Sequence, residues 1–197
     1  MGSPKPILLC SASPRRAALL ASAGIPFELG PAPDIDETPP AGLAPGHVAK
    51  VLALAKARHA SARAPERVVL CADTTVVLDD EILDKPRDPA DAVAMLARLA
   101  GRTHRVVTGV AVARGHTVSV EDEARVTFRA ISALEIAAYV ATGEPFGKAG
   151  GYAIQGGAAS FVERIEGDVE TVVGLPTRLV RPLLDHLDTV CRMAHGR

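Results

Sequence analysis

The chain has 197 residues, with 22 Lys plus Arg against 23 Asp plus Glu, so its formal charge is −1. That length can bury a sizeable core, and 48% hydrophobic with 23% charged residues excludes a disordered tail, a collagen or a coiled coil. Near-neutral charge lacks the surplus cations of a nucleic-acid or acidic-membrane binder, and 3% aromatics without Trp leave few base-stacking platforms.

Ile7 to Cys10 is a short apolar run, and from Pro14 to Ala23 the pattern turns helical, with Leu19, Leu20 and Ala23 on one side. Ser13 suits an N-cap, Pro14 a first helical residue and Gly24 a C-terminal stop. Prolines 31, 33, 39, 40 and 45, interleaved with Asp34, Asp36 and Glu37, predict an exposed loop, where functional carboxylates are common. A helix follows from His47 to Arg63, with Val48, Leu52 and Ala55 on its buried stripe and Lys56 at the border.

Val68 to Leu78 reads as a buried strand interrupted by Asp73, Thr74 and Thr75. A carboxylate inside such a run is costly unless paired, hydrogen-bonded or bound to metal, so Asp73 calls for a reason. Pro89 to Leu99 is a helix capped by Asp88. Thr103 to Ala113 and Thr117 to Phe128 are two strands joined as a hairpin, with His104 at a strand end. Ser132 caps a helix from Ala133 to Ala141. Glycines 143, 147, 150, 151, 156 and 157 then cluster where the chain average would place about one, so the backbone there must turn sharply or approach something closely. Ser160 to Ile165 is a strand and Leu175 to Leu187 a closing helix. Interleaved strands and helices without a strict repeat predict an α/β fold with a mixed sheet, as one domain over residues 1–197.

No run approaches 18 apolar residues, the span a membrane helix needs. Cys10, Cys71 and Cys191 form no CxxC and no even framework, and Met1 to Pro6 contains no apolar signal core. A reduced, cytoplasmic setting is expected.

Three segments carry candidate chemistry. Ser11-Ala12-Ser13-Pro14-Arg15-Arg16 gathers hydroxyls, helix N-terminal N–H groups and two guanidinium groups where an anion binds, or is a plain helix start. Cys10, five residues before Arg16, also fits a C-x5-R phosphatase loop, although that loop lacks glycine and Pro14 removes an amide donor. Asp73 followed by Lys85 makes an acid and a cation suited to phosphoryl transfer, unless Asp73 is satisfied by nearby hydroxyls. Lys148 and Gln155, within Lys148-Ala149-Gly150-Gly151-Tyr152-Ala153-Ile154-Gln155, offer a phosphate contact and an amide for a base edge, or a tight turn. Histidine spacing gives no zinc site, and neither a Walker A nor a GxGxxG motif is present.

Together, SASPRR at 11–16, PDIDE at 33–37, LALAKA at 52–57, ADTTV at 72–76, ILDKPRD at 82–88, GRTHRVVTGV at 101–110, KAGGYAIQG at 148–156 and VVGLP at 172–176 resemble the Maf family of nucleotide pyrophosphatases, in order and over nearly the whole chain. The resemblance implies an elongated α/β fold, mixed-sheet, with two lobes around a cleft, akin to the inosine triphosphate pyrophosphatases and usually homodimeric. It implies hydrolysis of a nucleoside triphosphate to monophosphate and pyrophosphate with Mg2+ or Mn2+. The KAGxYxIQG form is similar to the branch acting on dTTP and UTP, with modified uridines among the expected substrates. By the same resemblance Asp73 is the general base and, with Glu37, a metal ligand. Arg15, Thr74 and Gln155 choose the base, and Ser11, Arg16, Lys56, Lys85 and Lys148 contact phosphate. Gly147, where an Asp commonly precedes KAG, and Val169-Glu170-Thr171, in place of an aromatic-and-Asn stretch, depart from the pattern, whereas Ala12 is a neutral variation. Relatives associated with septum formation leave a nucleotide-sensing, division-regulating role as the alternative to catalysis.

Overall fold

A computed structural model describes residues 6–195, so the stretch Met1 to Lys5 read for a signal sequence lies outside the described residues. The elements run β1 (Ile7–Cys10), α1 (Pro14–Ser22), β2 (Phe27–Gly30), α2 (Pro45–Arg63), β3 (Val69–Leu78), β4 (Glu81–Leu83), α3 (Pro89–Leu99), β5 (Thr103–Arg114), β6 (His116–Phe128), α4 (Ala133–Ala141), β7 (Val162–Glu166), α5 (Val169–Val173) and α6 (Val180–His195). Strand order is β2-β1-β3-β5-β6-β7, with β4 attached to β3. β1 pairs in parallel with β2 and β3, and every other pairing is antiparallel, which makes the sheet mixed as expected.

The register of β3 makes the cleft. One edge pairs without a break to β5 from Val69 to Val77. Its other edge meets β1 only at Val69 and Leu70 and β4 only from Val76 to Leu78. Residues 71–75 therefore have no strand partner on that side, and the segment after β1 and the segment after β4 converge on the gap. This is how a Val-rich strand in the middle of a sheet presents Asp73 and Thr74 to a cavity.

Packing divides along the same line, because alternate residues of a strand share a face. On one face Leu70 and Ala72 of β3, with Val110 and Val112 of β5, pack with Leu20 of α1 and Leu183 and Leu187 of α6. On that face but further along, Val76, Leu78 and Val106 belong to a second cluster containing Leu96 and Leu99 of α3, Ile136 and Tyr139 of α4, Phe128 and Tyr152. Thr74 stands between the two. The opposite face is covered by α2, whose Ala53, Ala57 and Ala60 meet Val69, Cys71, Ala111 and Ala113.

Several boundaries differ from the sequence reading. β2 and β4 were not foreseen, having only four and three residues. The second follows a two-residue turn in which Asp79 and Asp80 both have positive φ, 51° and 61°, the conformation of a tight hairpin without its usual Gly. The closing helix starts at Val180 and not at Leu175. Gly174, at φ 117°, ends the unforeseen α5, and a single 3-10 turn, Thr177–Leu179, precedes α6. Ala55 is exposed, because the buried stripe of α2 runs through Ala49, Leu52, Ala53, Ala57 and Ala60. Lys56 thereby lies within the buried face, and not at its border. His104 is a buried core residue, 2% exposed, with Nε2 2.8 Å from the Tyr152 hydroxyl. Among the described residues no helix is long and apolar enough to cross a membrane.

Candidate active site

A cavity of about 530 Å3 occupies the gap beside β3. Its walls come from the turn after β1, from Glu37 in the proline-rich loop, from α2, from the middle of β3, from Lys85 after β4 and from the glycine-rich segment. Ser11, Arg15, Arg16, Glu37, Lys56, Asp73, Thr74, Lys85 and Lys148 all line it. Gln155 is exposed and does not line the cavity.

At the centre Lys56 Nζ donates to Asp73 Oδ1 at 2.6 Å and lies 2.8 Å from Glu37 Oε1. One ammonium thus holds two carboxylates drawn from a loop and a strand about 35 positions apart in the sequence, an arrangement that offsets the cost of burying Asp73. Burial pushes the Asp73 carboxyl above the ordinary carboxylate range, and the opposing pull of Lys56 and Arg16 does not cancel it. Burial acts against charged Lys56 as well, yet Asp73 and Glu37 raise its pKa above the usual lysine value. Glu37 is less buried; against that desolvation, Lys56, Lys85 and Arg16 keep it below the ordinary range. Lys85 Nζ is 3.8 Å from Glu37 Oε2 and mostly exposed.

Arg16 is held at all three nitrogens. Nε donates to the Gly174 carbonyl at 2.8 Å, Nη1 to Ser11 Oγ at 3.1 Å and Nη2 to Thr74 Oγ1 at 3.2 Å. Ser11 Oγ also accepts the backbone N–H of Ser13 at 3.2 Å, which shapes the turn into α1. Burial lowers the Arg16 pKa, with Asp73 working against that, and the guanidinium still carries its charge. Lys148 Nζ donates to the Glu144 carbonyl. In the glycine-rich segment, Gly147, Gly150 and Gly151 have φ of 74°, 70° and 68°, so the sharp turning inferred from composition is present.

Cys10 lies at the cavity wall but is almost fully buried. It is 3% exposed, its thiol donates to the Leu8 carbonyl at 3.7 Å, and it packs with Cys71, Ala53 and Ala57 beneath α2. Packing against Cys71 and the small residues of α2, with no glycine in the loop, disfavours the C-x5-R reading.

Two contributions escaped the sequence. Thr108 of β5, 0% exposed, stands opposite Thr74 and hydrogen-bonds to it at 2.9 Å. A polar residue in the Val106-Val107-Thr108 run was the available signal, the same one that singled out Asp73. Gly109, opposite Asp73, lets α2 approach: an added Cβ would lie 2.3 Å from the Ala49 carbonyl oxygen. That close contact sets the height of α2, and so of Lys56, above the strand.

Among the described residues no group of three or more His, Cys, Asp and Glu stands together as a metal cage. Glu37 and Asp73, both paired with Lys56, are two carboxylates that could hold Mg2+, an ion commonly bound by one or two carboxylates with phosphate oxygens and water completing its shell.

The Maf-like protein profile matches residues 6–187. The chain is 51% identical over 170 residues to the dTTP/UTP pyrophosphatase of Myxococcus xanthus (strain DK1622), covering 86% of each chain. It is 50% identical over 181 residues to the dTTP/UTP pyrophosphatase of Moorella thermoacetica, covering 90% of this chain and 93% of that one. The Staphylococcus aureus Ham1 protein structure aligns at a TM-score of 0.46 with 14% identity, covering 63% of this chain and 72% of that one. The chain belongs to the Maf family.

Proposed function

We propose that this protein hydrolyses dTTP and UTP, and modified pyrimidine triphosphates, to the nucleoside monophosphate and pyrophosphate. The observation that carries the reading is a buried carboxylate, Asp73, beside a ring of cations in one cavity, in a chain half identical to dTTP/UTP pyrophosphatases. A triphosphate brings several negative charges, and Arg15, Arg16, Lys56, Lys85 and Lys148 supply the matching positive field. Asp73 is the general base: it takes a proton from water as the water oxygen bonds to the α-phosphorus. The α–β bridging P–O bond breaks and its electron pair leaves on pyrophosphate. A carboxyl raised by burial suits this role, because a base is most effective with a pKa drawn toward the working pH. Lys56 keeps Asp73 oriented, while Ser11 and Arg16 bind phosphate oxygens at the start of α1.

Glu37 and Asp73 would hold a divalent cation, Mg2+ or Mn2+, together with the phosphates. When bound, the cation neutralises charge on the triphosphate and on the departing pyrophosphate. Arg15, Thr74 and Gln155 select the base in this reading. Since Gln155 lies outside the cavity walls, it takes part only if the glycine-rich segment carries it inward on binding. The reading further takes the protein as one domain forming a cytoplasmic homodimer without nucleic-acid or membrane partners. A single sheet supports the one domain, near-neutral charge the absence of nucleic-acid partners, and three cysteines without a CxxC or an even framework the cytoplasmic setting, while the homodimer follows from the family resemblance.

The test is the Asp73→Asn variant assayed on dTTP with Mg2+. The reading expects kcat to fall by about 10²–10⁴-fold while the protein stays folded. A folded variant with near-normal turnover would remove Asp73 from the role of base.

A further inference from the structure

Behind Arg16 a line of hydroxyls runs from the cavity into the fold. Arg16 Nη2 reaches Thr74 Oγ1 at 3.2 Å, Thr74 lies 2.9 Å from Thr108 Oγ1, and Thr108 lies 2.7 Å from the Thr171 carbonyl oxygen. The β3–β5 register sets Thr74 directly opposite Thr108, and Thr108 and Thr171 are both 0% exposed.

Elementary hydrogen-bond chemistry fixes every proton in this line. A hydroxyl has one proton and two lone pairs, a carbonyl only accepts and a guanidinium only donates. Thr108 must therefore donate to Thr171, and with its proton committed it can only accept from Thr74. Thr74 in turn has no proton left, and it accepts from Arg16. Each bond dictates the next. The far end is itself anchored: the Thr171 hydroxyl donates to Asp122, Asp122 pairs with Arg178 at 2.6 Å, and Arg178 reaches Asp168 at 3.0 Å. Asp168 caps α5, whose C-terminal Gly174 supplies the carbonyl that accepts Arg16 Nε. Two arms of the guanidinium are thus tied to the same short helix by separate routes.

We infer that Thr108, which is not among the residues lining the cavity, is a positioning residue that orients the Thr74 hydroxyl and through it the Arg16 guanidinium toward a bound triphosphate. The inference rests on the proposed triphosphate site. Without the Thr108 hydroxyl, the Thr74 proton is released to turn toward Arg16, where it opposes the guanidinium N–H. With it, Thr74 shows the cavity only a lone pair, and donation to phosphate is left to Arg16 and the lysines.

Four side chains at position 108 separate the hydroxyl from the shape. Thr and Ser carry the hydroxyl, Val and Ala lack it, and Thr and Val share a branched outline. We would measure tripolyphosphate affinity by calorimetry, and kcat and KM for pyrophosphate release from dTTP with Mg2+, in the wild-type and Arg16→Lys backgrounds. Thr108→Val and Thr108→Ala should each weaken tripolyphosphate binding and raise KM by about tenfold, the loss of roughly one well-placed hydrogen bond. Thr108→Ser should rescue both to within about threefold, and in the Arg16→Lys background the loss should shrink to about twofold or less, because the two positions act as one unit. Should Thr108→Val not fold, the Ser and Ala pair gives the same comparison. Hydroxyl-free variants no worse than Ser, or losses that carry over in full to Arg16→Lys, would make Thr108 a structural residue only. Tripolyphosphate binding is read whether or not dTTP is hydrolysed, so a protein that binds without turnover overturns the activity and still decides the role of Thr108. Absence of tripolyphosphate binding in the wild type would overturn the inference together with the site.

Discussion

At the scale of single residues, the decisive group is Lys56, because its ammonium contacts both Asp73 and Glu37 directly. Lys56 Nζ sits within 2.8 Å of both carboxylates, and the Lys56 and Asp73 side chains are only 11% and 12% exposed. Removing one member of a buried pair leaves the other without compensation, which typically costs several kcal/mol. Partial exposure and proton uptake by Asp73 soften this, so Lys56→Met should lose about 2 kcal/mol in urea unfolding and most of its turnover. A variant as stable as the parent would show that the two carboxylates do not depend on Lys56. Asp73 was legible in the sequence because a charge in a Val-rich strand demands a partner, and the family resemblance named Lys56 and Glu37 as well. What the sequence could not show was that these three meet at one ammonium, since chain separation says nothing of distance. Gln155 marks the opposite limit: its motif matched, yet its side chain lies outside the cavity.

Among the elements, α2 and β5 control how the site is built. Gly109 brings the α2 backbone against the sheet directly beside Asp73, and a side chain there has no room beside Ala49 and Lys50. Gly109→Ala should force α2 outward, destabilising the fold by about 1–3 kcal/mol as overpacking does. It should also lower turnover by loosening Lys56 from Asp73, and activity assays paired with thermal unfolding check both. An unchanged melting temperature would mean that α2 can shift freely. The long elements were legible because their periodicity and caps are strong: α3 is capped by Asp88, and α4 by a Ser132–Glu135 box. β2, β4 and α5 were not, since three to five residues carry too little pattern to be separated from loop. The Asp79-Asp80 turn hid a hairpin that Asn-Gly would have announced. These short pieces matter, because β4 bounds the gap beside β3 and α5 carries the support of Arg16.

Across the whole molecule, two packed clusters share one sheet face, and the few aromatics concentrate in one of them. Both tyrosines, Phe128 and Phe161 belong to that cluster, with the His104 ring edge-on to Phe128 and Tyr152. Burial lowers the His104 pKa from 6.5 to about 4. The folded protein therefore keeps His104 neutral down to about pH 4, while the unfolded chain takes up the proton near pH 6.5. Its contribution is complete above pH 6.5 and is lost as the pH falls toward 4, by up to about 3 kcal/mol. His104→Gln should flatten the fall in stability over that window relative to the parent, and identical slopes would place the proton uptake elsewhere. The broad class of mixed α/β fold followed from interleaved patterns, but the gap in β3 pairing is a property of register, which only the assembled sheet reveals.

The central claim is that this cavity splits a pyrimidine triphosphate between its α and β phosphates. The most direct test is to separate products after incubating the wild-type protein with dTTP, UTP, CTP and purine triphosphates in the presence of Mg2+ or Mn2+. The account predicts monophosphate and pyrophosphate in equal amounts, released chiefly from dTTP and UTP. Orthophosphate as the first product, or tight nucleotide binding without product over hours, would contradict it and point to a different reaction or to a sensor.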